Sequence, residues 1–377
     1  MILKKKDISS LRQQDLEYKK LYEEWQNDRR NKYGYRTEYA ENANTYQEGK
    51  GFSGESPAAD ERASLRSSVD VLMLALICYA LLEFIVKLLL SDFPFNAPFG
   101  VVLGKEGFTS SHDLKTIIFA YVGNIFTRVI PFGVLLLQLK LPLKVVIPTK
   151  INDRPLFYCS IPVAMLTFGV IYMCTEVEAL FLPGLDNRSI MRWSGAFTVY
   201  DIPISLLFMV IVPILSEFLH RGIILNLFRQ YGDGFALLIS SVISAALSAE
   251  DAIVMTFVYS LMIGYFTLRT GSILTAIIMR IIISGSYYII SIGRSGAFAN
   301  NVLSLLSAMV IFLYIGIGII ILIRFVINYS NKISLPLYSL YLSDAEKLMI
   351  CFTQPGFIIW ISLYIASLAW SIAFGNT

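Results

Sequence analysis

Nine apolar stretches, at about 69–90, 116–139, 156–175, 199–219, 235–249, 252–268, 273–292, 303–325 and 356–374, succeed one another with short polar breaks. Crossing the hydrocarbon core of a bilayer takes roughly 17 to 25 residues of helix, because each backbone polar group must be satisfied within its own segment. The pattern predicts an all-α, polytopic integral membrane protein with about nine transmembrane helices. The fifth stretch is short and forms a hairpin with the sixth through Glu250 and Asp251. A composition of 55% hydrophobic and 16% charged residues fits a chain that meets lipid on most sides. A net charge of +3 without a basic stripe excludes a nucleic-acid partner.

Residues 1–68 hold no spanning run and are rich in both charge signs. They read as a cytosolic arm ahead of a transmembrane domain at 69–377. Ile8, Leu11, Tyr18, Tyr22 and Trp25 recur at helical spacing, which predicts an amphipathic helix over about 8–30. That stripe rests on the bilayer surface or on the protein itself, or it docks a cytosolic partner. The remainder of the arm, 31–68, lacks periodicity and reads as a flexible linker. Most Lys and Arg fall on the side that holds the arm, so the positive-inside rule puts the N terminus in the cytoplasm and the C terminus outside. The plasma membrane is the expected location. Residues 326–355 are too broken by proline and charge to span, and are expected to lie at the inner surface.

Ionisable residues inside spans are functional candidates, since a charge in hydrocarbon costs about 2.5 to 3.5 kcal/mol even on lenient scales. In Ile211 to Gly222, IVPILSEFLHRG, Glu217 and Arg221 lie four residues apart on one helix face and can form an ion pair. Ser216 and His220 share the neighbouring face. This pair is expected at the cytoplasmic end of the fourth helix. Glu83, Lys87 and Arg128 are expected to neutralise one another in the first two helices. Arg280 lies deep in the seventh helix and needs a carboxylate; Glu217 and Glu250 can supply one, and Glu217 approaches the same half of the membrane. Ser240, Ser244 and Ser248 recur every four residues, the spacing of close helix packing. The four cysteines show no metal-ligand spacing, and His112 and His220 are the only histidines, too few for a histidine zinc site at this core. No metal and no cofactor is expected.

In order, SEFLHRG, SAALSAED and YFTLRTGSILTAIIMRIIISG resemble the core of the CAAX protease and bacteriocin-processing family of intramembrane endopeptidases, over about residues 155–295. That family carries E-E-x-x-x-R, then F-x-x-x-H, then H-x-x-x-N after a phrase like L-R-T-G-S. The last phrase stands here as Leu268, Arg269, Thr270, Gly271 and Ser272. Carried across by position, the first glutamate falls on Ser216, while Glu217 and Arg221 are kept. The second motif falls on Ser244 and Ser248, and the third on Arg280 and Ser284. The resemblance implies that the first glutamate and the second-motif histidine would activate water, and that the third-motif histidine and asparagine would hold the oxyanion.

Those positions are replaced here. Serine at 216 and 248 supplies neither base nor metal ligand, and a guanidinium at 280 can donate hydrogen bonds but cannot give up a proton. The expectation is a catalytically degenerate relative that binds a membrane protein partner as a scaffold, with the arm recruiting a cytosolic one. The competing expectation is an active endopeptidase with altered residues, using Glu217 or Glu250 as base, or Ser216 with His220 as nucleophile and base. A small-solute transporter is a third class, but the chain shows no pair of broken helices or inverted repeat.

Overall fold

The computed structural model describes residues 16–28, 30–35, 46–47, 51–52, 57–89, 114–181, 201–247, 253–294, 301–333 and 341–374. Apart from one two-rung strand pair, Tyr46–Gln47 with Gly51–Phe52, the described elements are helices. They are α1 Leu16–Asn27, α2 Pro57–Leu89, α3 Leu114–Leu139, the single turn α4 Leu143–Val146 and α5 Arg154–Phe181. Next come a helix α6 over 201–229, then α7 Asp233–Leu247, α8 Ile253–Thr270, α9 Ile273–Arg294, α10 Asn301–Ile333, α11 Asp344–Thr353 and α12 Pro355–Phe374. Each of the nine apolar stretches overlaps a described helix. Among the described residues five helices are long and apolar enough to cross a membrane: Ala58–Leu82, Tyr121–Leu139, Arg154–Met173, Leu207–Arg229 and Ala308–Asn328. Asp233–Leu247 and Ile273–Tyr287 are shorter apolar helices.

Helix α6 departs most from expectation. It runs on to Arg229 rather than stopping at 219, and residues 219–233 are buried on every side. Its backbone widens twice into π turns, at Leu207–Ile211 and Phe218–Ile224, and the Leu225 N–H donates to His220 O, five residues back. Such single-turn insertions rotate the facing of the downstream residues and often mark functional positions. Glu217 and Arg221 therefore lie within the span rather than at its end.

Two apolar cores flank this helix. One gathers α1, α2, the end of α3, residues 219–228 of α6 with Tyr231 just after it, α7, α11 and α12 around Leu76, Leu139, Phe228, Tyr231 and Trp360. The other joins α5, α8, α9 and α10 around Phe168, Tyr172, Ile263 and Met279. Helix α10 packs closely on α5: a Cβ at Gly318 would meet Leu166 Cβ at 2.4 Å and Pro162 O at 2.9 Å. Its other sides expose Phe312, Ile320 and Ile327, the kind of apolar surface that lipid covers.

The arm is not separate from the membrane domain. In α1, Tyr18, Tyr22 and Trp25 are buried against the chain's own helices; Ile8 and Leu11 lie outside the described residues. The Tyr18 hydroxyl donates to Asn226 Oδ1 and the Tyr22 hydroxyl to Asn226 O, both at 2.8 Å, and Trp25 Nε1 donates to Leu139 O at 2.7 Å. Burial holds both phenols above their ordinary pKa, so they remain donors. The expected linker also needs correction. Tyr33 and Tyr35 are buried, with Gln230 bonding the Tyr33 carbonyl and the Tyr35 amide at 2.8 Å each. Residues 57–68 form the first three turns of α2, because Glu61 has a buried partner there: Lys347 Nζ lies 3.6 Å from Glu61 Oε1 and 2.7 Å from Tyr231 O. Lys347 belongs to α11, the short helix within the stretch expected at the membrane surface, which opens on a capping box between Ser343 and Glu346.

Candidate functional site

The site is built on the second π turn of α6. Glu217 and Arg221 are 2% and 1% exposed, and Arg221 Nε lies 3.4 Å from Glu217 Oε2. The contact is an ion pair rather than an aligned hydrogen bond, since neither atom meets a hydrogen-bond partner. The rest of the guanidinium is well bonded. Nη1 donates to Ser240 Oγ of α7 at 2.7 Å, and Nη2 donates to Ser260 O of α8 at 2.6 Å and to the Ser260 hydroxyl. One arginine thus ties α6, α7 and α8 together. Gly264 permits this approach, because a Cβ there would meet Leu237 Cδ1 at 2.4 Å and Arg221 Nη1 at 3.1 Å.

Arg128 enters the site from α3. It bonds its own helix through Asn124, Nη1 to Oδ1 at 2.9 Å, and its Nε reaches Ser216 Oγ at 3.4 Å. It therefore contacts a motif position; the side chains of Glu83 and Lys87, its expected companions, lie outside the described residues. Arg280 enters from α9 and sits over the Tyr259 ring of α8, 4.6 Å from guanidinium carbon to ring centre. Its charge acts on Glu217 through space, but the two form no direct ion pair. An arginine on an aromatic face is a cation–π contact, strongest where water is excluded.

His220 is central to the cluster. It is 7% exposed, neither ring nitrogen meets a partner, and Arg221, Arg280 and Arg128 all act on it electrostatically. Three guanidinium groups thus act on the imidazole, and two of them, those of Arg221 and Arg280, also act on the Glu217 carboxylate. Ser216, Arg128, Arg280 and Ser284 keep partial exposure, while Glu217, His220 and Arg221 are buried. Ser244 is buried on α7; Ser248, Glu250 and His112 lie outside the described residues. Among the described residues no group of three or more His, Cys, Asp or Glu could hold a metal ion.

Sequence reasoning missed Tyr259 and Ser260, and read Arg128 as a charge neutralised by Glu83 and Lys87 or as part of a solute path with them, not as a partner of Ser216. A signal for the α8 face was present: Thr256, Ser260 and Gly264 recur every four residues in an apolar helix. The cluster can hold charge and donate hydrogen bonds. Its one described acid is held by a cation.

The surroundings of this cluster also carry a family likeness. No curated protein and no solved structure matches the chain. Residues 198–286, which contain the Glu217–Arg221 pair, Ser240, Tyr259, Ser260 and Arg280, match the family described as Type II CAAX prenyl endopeptidase Rce1-like.

Proposed function

We infer that the chain is an Rce1-like membrane protein that holds a membrane partner in the former substrate site without cutting it. The observation that carries this reading is the engagement of Glu217. A general base must accept a proton near working pH and reach the water it activates. Glu217 is buried, ion-paired with Arg221 and within the field of Arg280. Ser216, Arg280 and Ser284, which stand where the family carries catalytic groups, supply no base. On this reading the arm lies in the cytoplasm, the C terminus outside, and the protein sits in the plasma membrane. The cytosolic partner would meet the arm through surfaces other than the occupied Tyr18, Tyr22 and Trp25 face.

The competing reading is an endopeptidase that processes CAAX-type proteins with altered residues, the activity named in the description of the family that residues 198–286 match. Affinity purification from native membranes of wild type beside Glu217→Gln, with mass spectrometry of partner chain ends, separates the two. Intact partners in stable ratio support holding. Partner termini present with wild type and lost with Glu217→Gln establish cleavage instead.

A further inference from the structure

The charges in the cluster do not balance. Arg128, Arg221 and Arg280 bring three positive charges to His220, while Glu217, the carboxylate paired with Arg221, is acted on by only Arg221 and Arg280 among them. Arg221 and Glu217, both buried, neutralise each other. Arg128 and Arg280, which keep partial exposure, have no carboxylate of their own among the described residues: one is held by Asn124 and Ser216, the other by an aromatic ring. Arg280 Nε and both His220 nitrogens meet no partner, although donors withdrawn from water normally find one.

Depth sharpens the point. The turn at 270–272, the loop at Pro148, the end of α3 and the arm gather at one end of the bundle. Arg280 lies eight residues along from Ser272 and Arg221 eight back from Arg229, each about 12 Å from that end at 1.5 Å per helical residue. Arg280 and Arg128, the latter eleven residues before Leu139 at the end of α3, are thus part-exposed arginines well inside apolar helices, an unfavourable placement unless an anion joins them.

We propose that Arg128, Arg280, His220 and Ser216 form a binding site for an oxyacid anion, a carboxylate or phosphate head carried on an apolar tail. The guanidinium groups suit oxyacids because their planar donors match two oxygens at once, whereas a point anion would use one. The imidazole adds a donor, and Ser216, already an acceptor for Arg128 Nε, can turn its own hydrogen to the anion. The apolar tail is required by the setting, since the head must reach the interior of a membrane bundle. The proposal rests on the holding function and names the chemistry that the site would hold.

The test is thermal unfolding of the purified full chain in a neutral detergent, titrated separately with laurate, dodecyl phosphate, dodecanol and dodecyltrimethylammonium. A saturable rise in Tm with laurate or dodecyl phosphate, absent with the neutral and cationic amphiphiles, is expected, and the stronger of the two identifies the head. Arg280→Gln and Arg128→Gln should each weaken that binding by about tenfold, the loss of one charge-assisted contact, while Arg154→Gln on exposed surface should leave it unchanged. If either variant fails to fold, the wild-type comparison across the four amphiphiles still decides. Equal shifts with dodecanol, no shift with either anion, or undiminished affinity in both folded variants would overturn the site. Because the readout is made on the isolated chain, such a failure leaves the question of cutting or holding partners to the chain-end measurement.

Discussion

Asn226 faces two ways: its side-chain oxygen accepts the Tyr18 hydroxyl at 2.8 Å, and its amide donates to Gly222 O at 2.8 Å, Val145 O at 3.1 Å and Arg221 O at 3.2 Å. The carbonyls of Arg221 and Gly222 belong to the π turn, where the backbone departs from the regular helical ladder. One side chain thus joins the N-terminal arm to the turn that carries Glu217 and His220. Tyr18→Phe removes the bond to Asn226 and the acceptor for Arg229 Nη1 at 3.2 Å, and should lower stability by about 1 to 2 kcal/mol. Hydrogen exchange should rise in Phe218–Ile224 as well as in α1. Faster exchange confined to α1 would show that the arm is docked but not coupled.

The distance between partners along the chain decided how much of this was legible in the sequence. The apolar stretches announced their helices because hydropathy is local. The Glu217–Arg221 pair was legible because four residues on a helix are neighbours by geometry. The end of α6 was misplaced because Asn226, Arg229 and Gln230 look like a polar loop until the arm's Tyr18, Tyr33 and Tyr35 are seen to bond them. Glu61 was assigned to a linker for the same reason: its partner Lys347 is 286 residues away. Arg128 is 88 residues from Ser216, and nothing local in either segment pairs them.

Lys347 and Glu61 should behave as a buried pair. Both side chains are fully buried, Glu61 Oε2 also accepts from the amides of Tyr341 and Leu342 at 2.8 and 3.0 Å, and Lys347 also approaches Asp344. Removing one partner of such a pair strands the other charge and costs about 3 to 5 kcal/mol. Lys347→Met alone should therefore destabilise strongly, and Lys347→Met with Glu61→Gln less than the sum of the two single changes. Thermal unfolding of the three variants would measure the coupling, and additive losses would refute it.

The cap of α11 sets a pH dependence. Ser343 donates to Glu346 Oε2 from its backbone amide and its hydroxyl, at 2.8 Å each, and these bonds hold the Glu346 carboxyl below its ordinary value. A depressed carboxylate contributes stability that is complete above its unfolded pKa and fades as pH falls through the folded one. Hydrogen-exchange protection of Asp344–Thr353 should thus decline on acidification from about pH 5 downward, the ordinary range for a glutamate. Ser343→Ala should blunt that decline, and an unchanged pH profile in the variant would contradict the assignment.

Gly222 is where the π turn passes closest to its neighbours. A Cβ there would meet Val146 O at 2.8 Å and Val146 Cγ1 at 3.1 Å, and the nearer atom is backbone of the short α4 turn that α1 also contacts. Because backbone cannot rotate out of the way, Gly222→Ala must displace either α4 or the π turn, at about 1 to 3 kcal/mol for overpacking. The variant should unfold at lower temperature and lose protection in both segments. Gly316→Ala, where a Cβ would meet nothing within 4 Å, should be close to neutral and serves as the control.

Arg221 separates charge from geometry at the core of the site. A lysine in its place keeps the positive charge beside Glu217, but its compact ammonium cannot also span Ser240 on α7 and Ser260 on α8, which the guanidinium reaches with separate nitrogens. Arg221→Met removes both the charge and the span and leaves Glu217 buried without its cation, at about 3 to 5 kcal/mol. Adding Glu217→Gln removes the stranded charge, so the double variant should recover part of that loss, whereas Arg221→Lys should not be rescued by it. If Arg221 holds the fold through its bonds to the two serines, Arg221→Lys will approach Arg221→Met in Tm. If neutralising Glu217 is its main work, Arg221→Lys will approach wild type, and the arginine would then be a counter-ion rather than the tie between three helices.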